Sequence, residues 1–509
     1  MPPAFSSQAS DPGGIFLVLA LVLPVAGILL AFLAGGRHAR GITLVLSLAG
    51  LGIAAAIVAG VWRSGDALTY ASGGWAPPLG VKLRADGLSA AMIAVTAIVV
   101  LAAGLYAPSG FRVPRGGPET RASFSFWILL LAVWAAMNAV FLGSDLFNLY
   151  VALELVTFAG VPLVSLSGGA TTLTAALRYM LFALIGSVLY LLGTVLLYGN
   201  YGTLDISLLS ERVRPGPALW FTVALMTAGL AAKTALFPLH IWLPPAHSGA
   251  PPAASALLSA LVVKASFFLV VRLWFDVAGG LTGEMAGQIL GAMGAGAILV
   301  GGVVALRQAR LKLLIAYSTV AQLGYLFLMF PLAAGAGASE SGVNIALTGG
   351  MFQAVAHAFA KAAMFMAAGL IAEALGHDRI AGLRGIGRAL PVTSFAFGLA
   401  ALSLIGVPPT GGFVTKWFLL TASATTGQWW WAVVILAGGL LAGGYMFRVL
   451  SPVLTDGESP LILRAPVSRF REIVVLSLAL CALLLGVFPQ KPAKLLQLGR
   501  AHPAVVILP

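Results

Sequence analysis

The chain is a succession of apolar runs, each near twenty residues long, separated by short gaps that hold most of its charge. A helix needs about 20 residues to cross ~30 Å of hydrocarbon, and backbone inside lipid must satisfy its own hydrogen bonds. Fourteen segments have that length, at about 15–35, 41–62, 86–107, 123–143, 145–166, 173–199, 218–244, 251–275, 285–306, 311–331, 342–373, 389–423, 428–450 and 469–488. The expected fold class is an all-α polytopic membrane protein. Composition excludes a soluble fold: 9% of the 509 residues are Asp, Glu, Lys or Arg, against about 25% in a soluble domain. The opening MPPAFSSQASDPGG has no basic n-region and no cleavage site follows the first run, which reads as a retained helix.

The formal net charge is +13, yet its basic residues lie in the gaps, as membrane topology places them, and not on a nucleic-acid face. Connections after odd-numbered segments hold fifteen Lys or Arg, including Arg37, Arg40, Arg112, Arg115, Arg121, Arg307, Arg310 and Lys312. The opposite side holds eight, which makes odd connections cytoplasmic and puts both termini on the other face of a cell inner (plasma) membrane. The longest connections, about 63–85, 200–217 and 451–468, read as short surface loops. Trp62, Trp75 and Trp429 to Trp431 sit near segment ends as aromatic anchors. The single cysteine, Cys481, allows neither an intrachain disulfide nor a CxxC ligand pair. No cofactor and no metal site is expected.

Six basic residues fall inside apolar segments: Arg178, Lys233, Lys264, Arg272, Lys361 and Lys416. An ionisable group at the bilayer centre costs ~2.5–3.5 kcal/mol even on the lenient insertion scale. Arg178 and Arg272 lie near span ends, where snorkelling accounts for them. The four lysines are deep, and one acid, Glu154, is comparably deep. Four lysines with one matching carboxylate cannot all be closed ion pairs, so they are candidate proton carriers. Lys233, in AAKTALFPLHIWLPP, precedes Pro238, Pro244 and Pro245; Lys416, in GVPPTGGFVTKWF, follows Pro408, Pro409, Gly411 and Gly412. Both helices should break in mid-membrane, which is tolerated only where backbone lines protein or water and which points to a transport path. Gln353, His357 and Lys361 recur at four-residue steps, one polar stripe on a helix, and histidine can carry protons near neutral pH. His240 is balanced between relay and structural hydrogen bonding, while His247 reads as a loop residue of less importance.

At these residues the chain resembles the antiporter-like subunits shared by respiratory complex I, membrane-bound hydrogenases and Mrp-type cation/proton antiporters. The resemblance covers nearly the whole chain and is strongest over about 123–450. It implies a core of two inverted five-helix repeats, here about 123–276 and 284–455 within a 123–455 core, with the seventh and twelfth helices broken. A three-helix segment, 1–122, would precede that core, and a cytoplasmic loop and C-terminal helix, 456–509, would follow it. It implies that Glu154 pairs with Lys233, that Lys264 links the halves, that His357 and Lys361 form a central relay and that Lys416 is the terminal ionisable group. Asp145 matches an acid often found near the start of the fifth helix, and ALRYMLFALIGSVLYLLGTVLLYGNYGTLD reads like the family's sixth helix and following loop.

Within that family, GGWAPPLGVKLRADGLSA resembles the second loop and third helix of the D-type member of Mrp antiporters, and an end soon after segment fourteen fits that member. VALELVTFAGVPLVSLSG departs from it in being less aromatic, so the alternative is a subunit of a complex I-like NADH:quinone oxidoreductase or hydrogenase. The function implied is proton translocation in a multisubunit monovalent cation (Na⁺)/proton antiporter, with other membrane subunits as partners and no redox chemistry on this chain. A sodium site needs oxygen ligands, and no convincing acid cluster supplies them, so Na⁺ or K⁺ would pass by way of a partner subunit.

Overall fold

The computed structural model describes residues 10–107, 120–279, 281, 283–334, 340–456, 461 and 463–500. Among them, twelve helices are long and apolar enough to cross a bilayer, and two more crossings are interrupted. In chain order, α1 (Ile15–Ala34), α2 (Gly36–Ser64), α3 (Gly87–Tyr106), α4 (Arg121–Leu142), α5 (Leu146–Ser165) and α6 (Ala170–Tyr201) come first. A short α7 (Ile206–Arg212) leads to the first interrupted crossing, α8 (Pro217–Thr234) with α9 (Leu243–Gly249). Four long helices follow, α10 (Pro252–Val277), α11 (Glu284–Leu306), α12 (Leu311–Ala334) and α13 (Gly342–Leu375). A turn of helix, α14 (Ile386–Ala389), precedes the second interrupted crossing, α15 (Pro391–Ile405) with α16 (Gly411–Thr425). The last elements described are α17 (Trp429–Leu454), α18 (Arg469–Val487) and the short α19 (Gln490–Leu495). Arg112, Arg115 and both termini lie outside the described residues.

Two of the expected surface loops carry structure. Residues 63–85 contain an antiparallel hairpin, β1 (Leu68–Ala71) and β2 (Lys82–Ala85), in register from Leu68 opposite Ala85 to Ala71 opposite Lys82. Residues 200–217 contain α7, whose N-cap Asp205 accepts from the backbone of Ser207 and Leu208. Both are ways to satisfy backbone polar groups in a connection too long to be left as bare turn.

The long helices differ in what surrounds them. Across their most apolar windows α10 and α13 are wholly buried, while α1 and α2 expose most of theirs. Ionisable side chains on α10 and α13 are therefore met by protein groups and not by lipid, the setting in which intramembrane charge is tolerated.

Both interruptions follow from the residues. Helix α8 ends where Ala235 takes a left-handed conformation (φ 59°), uncommon for a residue with a Cβ and found mainly where surrounding structure imposes it. The carbonyl of Ala232, released from the helix, accepts a hydrogen bond from Trp242 Nε1 at 2.9 Å. Helix α15 ends at Gly406 (φ 87°), and a Cβ there would lie 2.6 Å from Cδ of Lys416. Glycine is required at that position twice over, for the conformation and for room beside the lysine. Thr410 then caps α16, accepting from Phe413 N.

Close approach also seats Lys233. A Cβ on Gly186 of α6 would lie 2.5 Å from the Gly229 carbonyl of α8 and 2.9 Å from Cγ of Lys233. Small residues that let two membrane helices meet backbone to backbone here also leave space for the lysine stem.

Candidate proton relay

The first of the candidate residues stand at the first interruption. Lys233 stands in the last turn of α8 and its Nζ donates to Glu154 Oε1 at 2.7 Å and to Thr157 Oγ1 at 3.2 Å, both on α5. Ser187 Oγ of α6 donates to the same Glu154 oxygen. The side chains are 6% and 13% exposed, so the pair is enclosed but reaches the edge of the protein.

Lys264 and His357 meet at the centre. Just before Lys264, α10 contains a π-helical turn, Leu258–Val262; such turns displace carbonyls from the regular ladder and recur at functional sites. Lys264 Nζ donates to the Ser259 carbonyl in that turn and lies 2.6 Å from His357 Nδ1. Either an ammonium donates to a neutral imidazole or an Nδ1–H donates to a neutral amine. One proton shared between two bases at that distance is a transfer geometry. The second ring nitrogen, His357 Nε2, is buried with no hydrogen-bond partner among the described residues.

One turn from His357 on the α13 stripe, Gln353 Nε2 donates to Gln322 Oε1 of α12 at 2.9 Å. Gln322 Nε2 donates to the Leu404 carbonyl at 3.0 Å, and Lys416 Nζ donates to that same carbonyl at 3.1 Å. Lys416 also donates to the Ile405 carbonyl and sits 5.0 Å above the Tyr325 ring. The end of broken α15 thus supplies free carbonyls where the terminal lysine needs acceptors. Lys361, one turn from His357 in the other direction, donates to the Ile315 carbonyl at 2.9 Å and to Ser318 Oγ on α12. It shares no hydrogen bond with Lys416; the hydrogen bonds that reach the carbonyl holding Lys416 come from Gln353 by way of Gln322. Gln322 is not visible from sequence because an uncharged side chain in an apolar run gives no charge signal. The polar cluster Ser318, Thr319 and Gln322 on one face is the signal available.

The remaining candidates take other places. Asp145 is the N-cap of α5, accepting from Phe147 N at 2.9 Å and Asn148 N at 3.0 Å. His240 lies half-buried in the first interruption against Phe237, its Nδ1 without a partner among the described residues, and hydrogen-bonds no relay side chain. His247 is not a loop residue: it belongs to α9, is fully buried and stacks on Phe365 at 4.6 Å. Arg178 is exposed on α6, as snorkelling requires.

Arg272 does not snorkel. It is 7% exposed, and its two terminal nitrogens clasp Asp86, with a further bond to Asp276 at 2.7 Å and one to Ser89 Oγ at 2.9 Å. Asp86, the N-cap of α3, is buried; burial opposes its charge, but Arg272 and Arg84 hold its carboxyl well below the usual carboxylate range. Arg471, at the start of α18, is likewise buried, donating to the Tyr106 carbonyl at 2.9 Å and to Glu373 at 2.7 Å. A partner distant in sequence decides whether an arginine near a span end points outward or inward.

Residues 143–442 match the protein family described as NADH:quinone oxidoreductase/Mrp antiporter, TM. The chain is 34% identical over 424 residues to NADH-quinone oxidoreductase subunit N of Desulforudis audaxviator, covering 82% of this chain and 81% of the relative. It is 29% identical over 407 residues to the D-type member of the Na(+)/H(+) antiporter of Bacillus subtilis, covering 79% of each. Its fold is similar to that of a chain in the Mrp complex from Dietzia sp. DQ12-45-1b, with a TM-score of 0.85, 24% identity and coverage of 96% and 97%. With more than half its length matched, the chain belongs to the NADH:quinone oxidoreductase/Mrp antiporter membrane family.

Proposed function

We propose that this chain is the proton-translocating membrane subunit of a multisubunit assembly. The observation that carries the reading is the pair of contacts around the enclosed helices: Lys264 against His357 at 2.6 Å, and Gln353 through Gln322 to the carbonyl that holds Lys416. Opening of the Glu154–Lys233 pair releases a proton from Lys233 toward Lys264; His357 accepts it, and Lys416 receives it at the far end. Two unit charges about 4 Å apart at an effective dielectric near 20 interact by about 4 kcal/mol, about three pKa units, enough to switch a protonation state. The amides of Gln353 and Gln322 do not titrate; their part is to hold water between His357 and Lys416 in a conducting order. Lys361 is a branch that stores a second charge beside His357. Residues 123–276 and 284–455 are the two repeats of the core, one broken helix in each, within a plasma membrane and with both termini on the non-cytoplasmic side.

Two assemblies fit. Resemblance to the D-type Mrp member favours a monovalent cation/proton antiporter with other Mrp-type subunits as partners. The identity of 34% to a subunit N favours a complex I-like oxidoreductase, in which this chain would still move protons and the electrons would pass on partner subunits. The relay is common to both, and Gln322 tests it. Gln322→Leu removes both hydrogen bonds at similar volume and leaves the Glu154–Lys233 pair intact. Proton flux of the assembled complex in sealed vesicles is expected to fall at least about tenfold. Gln322→Glu, which accepts in either state and donates to the Leu404 carbonyl when protonated, should recover most of it. Undiminished flux in Gln322→Leu would remove this segment from the path.

A further inference from the structure

The mechanism leaves unused a cavity of about 470 Å³ between α15 and α17, where both helices meet their loops. Its head is built by the packing of the chain. Gly385 N donates to the Thr455 carbonyl at 3.0 Å. A Cβ on Gly387 would lie 2.5 Å from the Val453 carbonyl, so the turn before α15 sits directly on the end of α17. That packing sets Arg388 of α14 against Asp456, Nη2 to Oδ2 at 2.7 Å. These two are the charged residues of the cavity lining, and their side chains remain 81% and 57% exposed. A guanidinium has five N–H donors and a carboxylate two acceptor oxygens, so the pair keeps both donors and acceptor sites open to a ligand.

Past Pro391, in the first turn of α15, the same cavity meets Ser394. This serine is 8% exposed, and its Oγ has no hydrogen-bond partner among the described residues. Other hydroxyls on the spanning helices find one: Thr393, beside it, donates to Glu472 at 2.9 Å, and Thr157 donates to the Leu153 carbonyl at 3.1 Å. A buried hydroxyl left unpaired costs free energy. Beyond Ser394 the wall is apolar, with Phe395, Leu399 and Leu402 on α15 facing Leu450 and Leu454 on α17. Pro391 to Leu402 spans about 16 Å of helix. Phe395 and Leu454 are exposed, so the groove opens to lipid.

We propose that this cavity binds a zwitterionic phospholipid with a primary amine, the phosphatidylethanolamine class. Its headgroup lies on Arg388 and Asp456, a glycerol ester carbonyl on Ser394 and an acyl chain in the groove. The guanidinium donates to phosphate oxygens and the carboxylate accepts from the ammonium, both as charge-assisted hydrogen bonds. The charges of Arg388 and Asp456 cancel, which matches a zwitterion, whereas an anionic headgroup would set added negative charge against Asp456. Choline carries the same charge as ethanolamine but has no N–H to donate. The ester carbonyls of a phospholipid lie between headgroup and chains, the order in which this one cavity presents the charged pair, Ser394 and the apolar wall.

The experiment uses the full chain in its assembled complex. Dioleoyl phosphatidylethanolamine carrying a diazirine on one acyl chain is added in detergent and photolysed, and labelled peptides are mapped by mass spectrometry. Label is expected on residues 391–402 or 450–454. Unlabelled dioleoyl phosphatidylethanolamine should suppress it at a concentration at least about fivefold lower than dioleoyl phosphatidylcholine or phosphatidylglycerol does. Arg388→Gln/Asp456→Asn should erase that preference, and Arg310→Gln/Asp378→Asn, the same change at another ion pair, should keep it. Ser394→Ala should weaken competition by the diester lipid at least about threefold, and leave unaffected its dialkyl ether analogue, which has no ester carbonyl. Absence of label from both stretches would overturn the proposal, and is what a partner helix seated in the groove would give. Equal competition by the three lipids or a preference for phosphatidylglycerol would overturn it too. So would an unchanged preference in the Arg388 and Asp456 variant, or undiminished competition by the diester lipid in Ser394→Ala.

Discussion

Lys233→Ala is expected to abolish proton transport, by at least about tenfold and toward the background of empty vesicles, in a complex that still assembles. Lys233 is the one candidate relay group with a carboxylate partner among the described residues, so on the proposed path its removal eliminates both the proton and the charge pair whose opening would drive it. Glu154 would then retain Ser187 as donor and, at 13% exposure, a path to relax toward the protein edge. That is why assembly should survive where a fully enclosed orphan charge would cost ~3–5 kcal/mol. Lys233→Arg separates the two contributions. Arginine keeps the charge and can bond Glu154, but it does not release its proton at any working pH. Assembly should be intact and transport as low as in the alanine variant. Substantial transport by Lys233→Arg would mean that the pair acts only as a fixed charge and that the proton travels elsewhere. Flux is read by dye quenching in sealed vesicles, and assembly by co-purification of the neighbouring subunits.

Asp86→Ala should produce a large loss of stability, about 3–5 kcal/mol. It leaves Arg272 buried with Asp276 and the Ser89 hydroxyl, uncaps α3 and frees the end of the helix that carries Lys264. The double variant Asp86→Leu/Arg272→Met, which removes both charges for apolar groups of similar size, should recover most of the loss. The same pair predicts a pH dependence. Because the folded protein holds the Asp86 carboxyl below its ordinary range, the stabilisation is fully present above the unfolded value of about 3.9. It is lost as pH falls from there through the folded value. Thermal unfolding in detergent at pH 7 and pH 3 checks both statements: the wild type should drop toward Asp86→Ala as acid is added, and the double variant should respond less. An Asp86→Ala protein that melts within a degree or two of wild type would show that Arg272 finds a full substitute partner.

Much of the architecture was legible because a membrane makes few patterns admissible. The twelve long apolar helices followed from segment length, and the two interruptions from Pro238 and from Pro408 with Pro409, since lipid does not forgive a missing N–H. The four lysines stood out for the same reason: charge in an apolar run has no local explanation. What escaped was whatever depends on a neighbour far along the chain. Nothing near Arg272 in sequence announces Asp86, 186 residues away, and the i, i+4 companion Asp276 alone fits a snorkelling pair equally well. His247 lies in a stretch of prolines and small residues that reads as loop, yet the turn of α9 carries it inward onto Phe365. Gln322 gave no sign of its role because an uncharged polar group in an apolar helix is ordinarily satisfied by a neighbouring backbone. Only the shared carbonyl of Leu404 shows that its neighbour is the break beside Lys416. Asp145 stood out in sequence only as an acid near the start of the fifth helix; the structure gives it the N-cap of α5, where a carboxylate meets free backbone N–H groups.

The relay is tested most directly by proton flux into sealed vesicles that hold the assembled complex, with Lys233, Lys264 and Lys416 all replaced by alanine. Each is buried, each lies on a different helix, and the three stand at the start, centre and end of the proposed path. Flux at the level of empty vesicles, with the partner subunits still attached, is the expected result. Flux at the wild-type level from an assembled triple variant would contradict it, and would leave the buried lysines with a structural role alone.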